Sequence, residues 1–238
     1  MKIFFLVLIA FLNFKSLFAD NVSYHSKIDM FKMIDQDASG IKINWGPEKR
    51  PPKIKVSLPK NSPILLSDYH SIWGASGGIR SWEGKNVKHH GVDFYVKTGD
   101  PIIAANSGRV VLTTIDECAG PIVVIKHTGN KYAYYLHVGS FKVKHGDKVE
   151  RGQTIADAGK LITTRCGGGI EHLHFQLSSQ GPCKTCWGGW IIYGDPKNYL
   201  NPHKYWTGGK GKPECFIKGK DYPKRKLTLP VLCKEEQS

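Results

Sequence analysis

The sequence predicts a mostly β domain of antiparallel strands, with an irregular N-terminal extension and a basic C-terminal one. Three observations carry that reading. Short apolar runs recur from about Leu65 to Trp206, punctuated by Gly, Asp and Asn. Several are rich in Val, Ile, Tyr and Thr, side chains that suit a pleated, half-buried surface. No segment sustains a helical period. The length, 238 residues, allows one main domain with appendages, and 40% hydrophobic with 11% aromatic residues is enough to bury a core. That composition excludes a disordered chain. No fixed-period repeat or low-complexity block is present.

In chain order, residues 1–19 read as a signal peptide: Lys2 is the positive n-region, Ile3 to Leu12 the apolar stretch and Ala19 a cleavage position. The apolar run of about ten residues is too short for a bilayer span, which needs roughly 20. A retained N-terminal anchor is the rival reading. No Cys follows the run to carry a lipid. The mature protein is therefore expected to be exported to the periplasm or the extracellular cell wall, without a transmembrane span. Residues 20–64 form an extension or linker in which Pro51 and Pro52 favour extended backbone and break helices. Its position also makes it a candidate segment for covering the groove of a latent enzyme.

From 65 to 203 the strand candidates follow in turn: GVDFYV, PIIAA, GRVVLTTI, PIVVIKH, YAYYLHV, TIADAG and HLHFQL. Residues 204–238 read as a basic, loop-rich tail. Within 204–226, Lys204, Lys210, Lys212, Lys218, Lys220, Lys224, Arg225 and Lys226 stand against Glu214 and Asp221. The tail is either an envelope-binding appendage or a solvated extension.

The formal net charge is +14, and losing Lys2 and Lys15 with residues 1–19 leaves +12. Such a field attracts polyanions. In an exported protein the expected partners are anionic envelope polymers; no motif for specific nucleic-acid recognition is present. Six cysteines remain in the mature chain: Cys118, Cys166, Cys183, Cys186, Cys215 and Cys233. An even count in an exported protein predicts disulfide staples, with pairing left open among 15 arrangements. Cys215 and Cys233 are placed to close the tail into a loop. The CxxC of Cys183 and Cys186 has no second CxxC and no redox-type βαβ context.

The chemistry concentrates in three short pieces. In Glu171-His172-Leu173-His174-Phe175, strand alternation puts His172 and His174 on one face and Leu173 and Phe175 on the other. One imidazole can then ligate a metal while the other stands beside it, although a lone HxH is a weak signal. Upstream, His89-His90-Gly91-Val92-Asp93 separates a histidine and a carboxylate by three residues. Imidazole nitrogen and carboxylate oxygen both suit zinc, and three protein ligands plus water mark a catalytic site. His89, Asp93 and His174 supply three. The third piece, Tyr134-Tyr135-Leu136-His137, ends an aromatic-rich strand, and alone it marks only a strand-end histidine.

Taken in order, HHGVD, YYLH and HLH resemble the lysostaphin/LytM-type family of zinc endopeptidases, which carries HxGxD, an internal histidine after a tyrosine-rich strand, and HxH. GDPIIAANSGRVV, HGDKVERGQTIADAG and NYLNP agree with it, and the resemblance covers roughly residues 65–203. It implies an antiparallel β-sheet metallopeptidase domain with an open groove. His89, Asp93 and His174 would hold one Zn2+ ion, and His137 and His172 would be the catalytic histidines. HxGxD spacing selects His89 over His90. His172 is favoured as the proton acceptor because it shares a strand with His174. The implied substrates are peptide stems or cross-links of bacterial peptidoglycan. Two departures stand out: Glu171 replaces the proline that usually precedes HxH, and TTRCGGGIE differs from the usual approach to that strand. The alternative from the same resemblance is a non-enzymatic regulator that binds a partner through its groove.

Overall fold

The structure is a computed structural model, and it describes residues 54–71, 81–82, 85–86, 88–116, 119–160, 171–182 and 198–234. The expected signal sequence, most of the 20–64 extension, the TTRCGGGI approach and four cysteines (Cys118, Cys166, Cys183 and Cys186) lie outside the described residues. All described residues belong to one compact unit, Ile43–Ser238.

Thirteen strands are described: β1 (Leu65–Ser67), β2 (Ser81–Trp82), β3 (Lys85–Asn86), β4 (Val92–Tyr95), β5 (Pro101–Ile103), β6 (Gly108–Asp116), β7 (Gly120–His127), β8 (Lys131–Leu136), β9 (Val138–Phe141), β10 (Lys148–Val149), β11 (Thr154–Ala158), β12 (His172–Ser178) and β13 (Tyr199–Leu200). The main sheet runs β1-β4-β12-β8-β7-β6-β10, with β13 also paired to β12; β5-β11-β9 and β2-β3 make two smaller sheets. Every pairing between these strands is antiparallel. The expected fold class, mostly antiparallel β, is what the chain adopts. Among the described residues helix is limited to 3-10 turns, at Asn198 and over Pro202–Lys204. No helix among them is long and apolar enough to cross a membrane.

Period-two alternation sorts the main sheet into two faces. Val92 and Phe94 of β4, Leu173, Phe175 and Leu177 of β12, and Ala133 and Tyr135 of β8 enter the principal core. Asp93, His172, His174 and Tyr134 occupy the intervening positions, so they stand on the opposite face. Ile122, Val124, Tyr134 and Leu136 form a smaller apolar cluster there. Register then aligns the two flanks of the site. His174 pairs with Asp93 on β4 and with Leu136 on β8.

The segment read from sequence as a basic tail is packed into this fold. Trp206, Leu227, Leu229 and Val231 belong to the principal core, and Trp206 stacks on Phe175 with centroids 6.1 Å apart. Thr228 N–H donates to Ala105 O, and Ile103 N–H to Pro230 O, both at 3.0 Å. Cys215 and Cys233 form a disulfide, as their placement suggested. Leu227, Leu229 and Val231 alternate like a strand, which overrides the charge of the surrounding lysines because burying each large apolar side chain is worth about 1.5–3 kcal/mol.

Candidate metal centre

His89 precedes β4, Asp93 lies within it, and His174 faces Asp93 from the neighbouring β12. Asp93 is fully buried, and His89 and His174 nearly so. Their donor atoms converge. His89 Nε2 lies 3.0 Å from Asp93 Oδ1, His174 Nδ1 lies 2.9 Å from Asp93 Oδ1, and the two imidazole nitrogens are 2.9 Å apart. These three residues are the one potential metal-holding group of His, Cys, Asp or Glu found among the described residues.

The hydrogen bonds behind the ligands orient them. Asp68 O, which can only accept, lies 2.9 Å from His89 Nδ1; that nitrogen therefore carries the proton and Nε2 keeps its lone pair. Ser67 Oγ lies 3.1 Å from the same nitrogen. On His174 the outer nitrogen, Nε2, faces Gln176 Oε1 at 3.4 Å, which leaves Nδ1 turned to the other two donors. Two imidazole lone pairs and a carboxylate oxygen thus meet at edges near 3 Å. A tetrahedral shell with bonds of about 2.0 Å has donor–donor edges of about 3.3 Å. The residues fit zinc in donor type and in spacing. Burial alone would push Asp93 up, but the neighbouring imidazoles of His89, His172 and His174 hold its carboxyl well below the usual range.

Gly91 is dictated by the strand it crosses. A Cβ there would lie 2.7 Å from both His174 Nε2 and the backbone oxygen of Phe175. Only glycine lets the chain carrying His89 approach β12 this closely.

His137 sits between β8 and β9 with φ of 63°, a left-handed conformation that costs a non-glycine residue about 1–2 kcal/mol. Its main chain bonds Ala119 O and Gly159 N, which holds that conformation. The ring stands 4.7 Å from the His172 ring and 6.2 Å from that of His174, centroid to centroid. His137 Nδ1 donates to Ala119 O at 2.9 Å, so Nε2 of the neutral ring presents a lone pair. Burial first, then the His172 and His174 charges, hold His137 well below the usual imidazole range. His172 Nε2 lies 3.9 Å from Asp93 Oδ1. The structure therefore gathers all five sequence-nominated residues on one patch of one sheet face. His90 stands apart, packing on Tyr199 at 4.8 Å between centroids.

Sequence reasoning missed Gln176, Ser67 and Asp68. Gln176 was within reach, because alternation extends the face of His172 and His174 to it. Nothing local in LLSDYHS marks Asp68 as a partner of His89.

The site is thus a buried His-Asp-His donor set on the face of an antiparallel sheet, able to hold one metal ion and flanked by two further histidines. Residues 87–184 match the family model described as Peptidase family M23. This segment is similar to that family, of the lysostaphin/LytM type. The chain is 40% identical over 93 residues to the peptidoglycan DD-endopeptidase ShyA of Vibrio cholerae, a match covering 39% of this chain and 21% of that protein. It is 33% identical over 118 residues to the glycyl-glycine endopeptidase ALE-1 of Staphylococcus capitis, covering 49% of this chain and 31% of that protein. The solved structure of lysostaphin from Staphylococcus simulans aligns with a TM-score of 0.49 at 22% identity, covering 68% of this chain and 57% of that one. The match to these two curated relatives spans between a fifth and a third of their length.

Proposed function

We propose that this chain is an exported, zinc-dependent endopeptidase that hydrolyses peptide stems or cross-links of bacterial peptidoglycan. The observation that carries the reading is the donor triangle of His89, Asp93 and His174, in which hydrogen bonds behind the imidazoles turn their lone pairs onto one point. The relatives' printed activities supply the substrate class. The excess of Lys and Arg adds attraction to anionic envelope polymers.

Zinc in this shell supplies a Lewis acid for the scissile carbonyl and a water whose pKa falls to about 7. Asp93 stays ionised and contributes its charge to the shell. His137 Nε2 accepts the proton of the attacking water and passes it to the leaving amine. His172, beside it, donates to the oxyanion as it develops. This division reverses the preference drawn from strand sharing; its support is the His137–Ala119 hydrogen bond, which leaves His137 Nε2 as an acceptor.

The test is zinc content together with peptide release from purified peptidoglycan, comparing the mature protein with His174→Ala. The parent should hold one zinc and release peptides, and the variant should lose both. A parent that holds zinc yet cuts no wall preparation, even without residues 20–64, would overturn the reading in favour of a groove-binding regulator. His137→Ala with near-normal turnover and zinc retained would return the acceptor role to His172.

A further inference from the structure

Behind the donor triangle the fold buries a second chain of polar side chains that proton transfer does not use. Trp206 Nε1–H donates to His203 Nδ1 at 2.9 Å, so that nitrogen is an acceptor and the proton of the neutral ring sits on Nε2. His203 Nε2–H in turn donates to Asp68 Oδ1 at 2.5 Å. Asp68, His203 and Trp206 are all essentially inaccessible to solvent. The chain ends on the residue whose main-chain oxygen accepts from His89 Nδ1.

That oxygen belongs to a turn whose main chain also pairs with His89, through His70 N–H to His89 O at 2.6 Å and His89 N–H to Ser71 O at 2.9 Å. Ser71 N–H closes it onto Asp68 O at 3.1 Å, and inside it His70 adopts φ of 64°, a region uncommon for residues other than glycine although histidine is among those that enter it more often. Asp68 Oδ1 accepts from Tyr69 N–H at 2.6 Å, within the turn itself. Asp68 Oδ2 has no hydrogen-bond partner among the described residues. The hydrogen bond tying the Asp68 carboxylate to a distant part of the fold is therefore the one from His203, 135 residues along the chain.

We propose that Trp206 and His203 are positioning residues for the metal centre. They clamp Asp68 so that its carbonyl stays in place as the acceptor for His89 Nδ1–H, which keeps the His89 Nε2 lone pair on the donor triangle. His203 lies in the 3-10 turn that follows β13, whose first residue is Pro202 and whose N-cap is Asn201. The clamp therefore ties the C-terminal part of the chain to a ligand near its start. The proposal rests on the reading of His89 as a ligand.

The experiment uses the full chain with His203→Phe, which keeps a ring and removes both hydrogen bonds, and Trp206→Phe, which keeps aromatic packing on Phe175 and removes only the donor. Three quantities are read: the thermal midpoint of the metal-free protein, zinc affinity by chelator competition at fixed pH, and the imidazole 15N shifts of metal-free His89. Zinc affinity should fall by about 10–100-fold in His203→Phe and by less in Trp206→Phe. The single Nδ1–H tautomer of His89 should become a mixture. A folded His203→Phe with zinc affinity within about twofold of the parent and an unchanged His89 tautomer overturns the proposal. If His203→Phe does not fold, Trp206→Phe decides on the same two readouts. His89→Ala separates the two layers: parental zinc affinity in that variant removes His89 as a ligand, while the 15N tautomer readout still judges the clamp.

Discussion

Acid should destabilise the fold through His127, a residue remote from the proposed chemistry. It closes β7 and is buried, with Nδ1–H donating to Ser107 O at 3.1 Å and no partner for Nε2 among the described residues. Burial pushes its pKa down to about 4, with Arg151 adding to the fall and the Ser107 hydrogen bond opposing it. In the unfolded chain the same imidazole titrates near 6.5. Between pH 6.5 and 4 the unfolded state binds the proton and the folded state does not, so stability falls as pH falls and levels off below about 4. The shift of about 2.5 units corresponds to about 3 kcal/mol at 1.36 kcal/mol per unit. His127→Asn removes the titration while offering an amide donor to Ser107 O. Urea midpoints of both proteins, measured between pH 7 and pH 4.5, give the difference in stability at each pH. That difference should shift against the parent by about 1 kcal/mol or more for each pH unit below 6. Acidic groups common to both proteins, Asp93 included, cancel in the comparison. Stability curves that stay parallel across the range would refute the argument.

Two further outcomes follow from contacts elsewhere. Tyr135→Phe leaves the buried Ala105 N–H, which donates to the Tyr135 hydroxyl at 2.9 Å, without its acceptor; urea unfolding should show a loss of about 1–3 kcal/mol. Gly91→Ala drives a Cβ against His174 and the backbone of Phe175, so zinc affinity measured by chelator competition should fall about tenfold or more while far-UV circular dichroism stays native.

How much of this was legible in the sequence depended on how far apart the cooperating residues lie. HLH and HHGVD carry their geometry within five residues, because strand alternation and one glycine settle which side chains share a face. His137 was legible as a residue but not in its tautomer: the bond to Ala119 that determines it joins positions 18 residues apart. The C-terminal segment was hidden for another reason. Lysines at 210, 212, 218, 220, 224 and 226 dominate any window average, whereas Trp206, Leu227, Leu229 and Val231 are the residues that enter the core. Burial responds to a few apolar side chains at the right spacing, and charge on the exposed positions between them does not oppose it.

That separation bears on the division of labour within the chain. A metal-ligating histidine almost always has its second nitrogen held; for His174 the partner is Gln176 on the same strand, whereas for His89 the groups come from outside the motif-bearing strands: Asp68 from the turn after β1, and behind it His203 and Trp206 from the segment after β13. The motif states which atoms converge, whereas the affinity of the convergence depends on residues that no short motif contains. Two chains with the same HHGVD and HLH can therefore differ widely in metal affinity. His203→Phe and Trp206→Phe leave every nominated ligand in place and keep a ring in the core, so chelator competition on these variants is the measurement that separates motif from support.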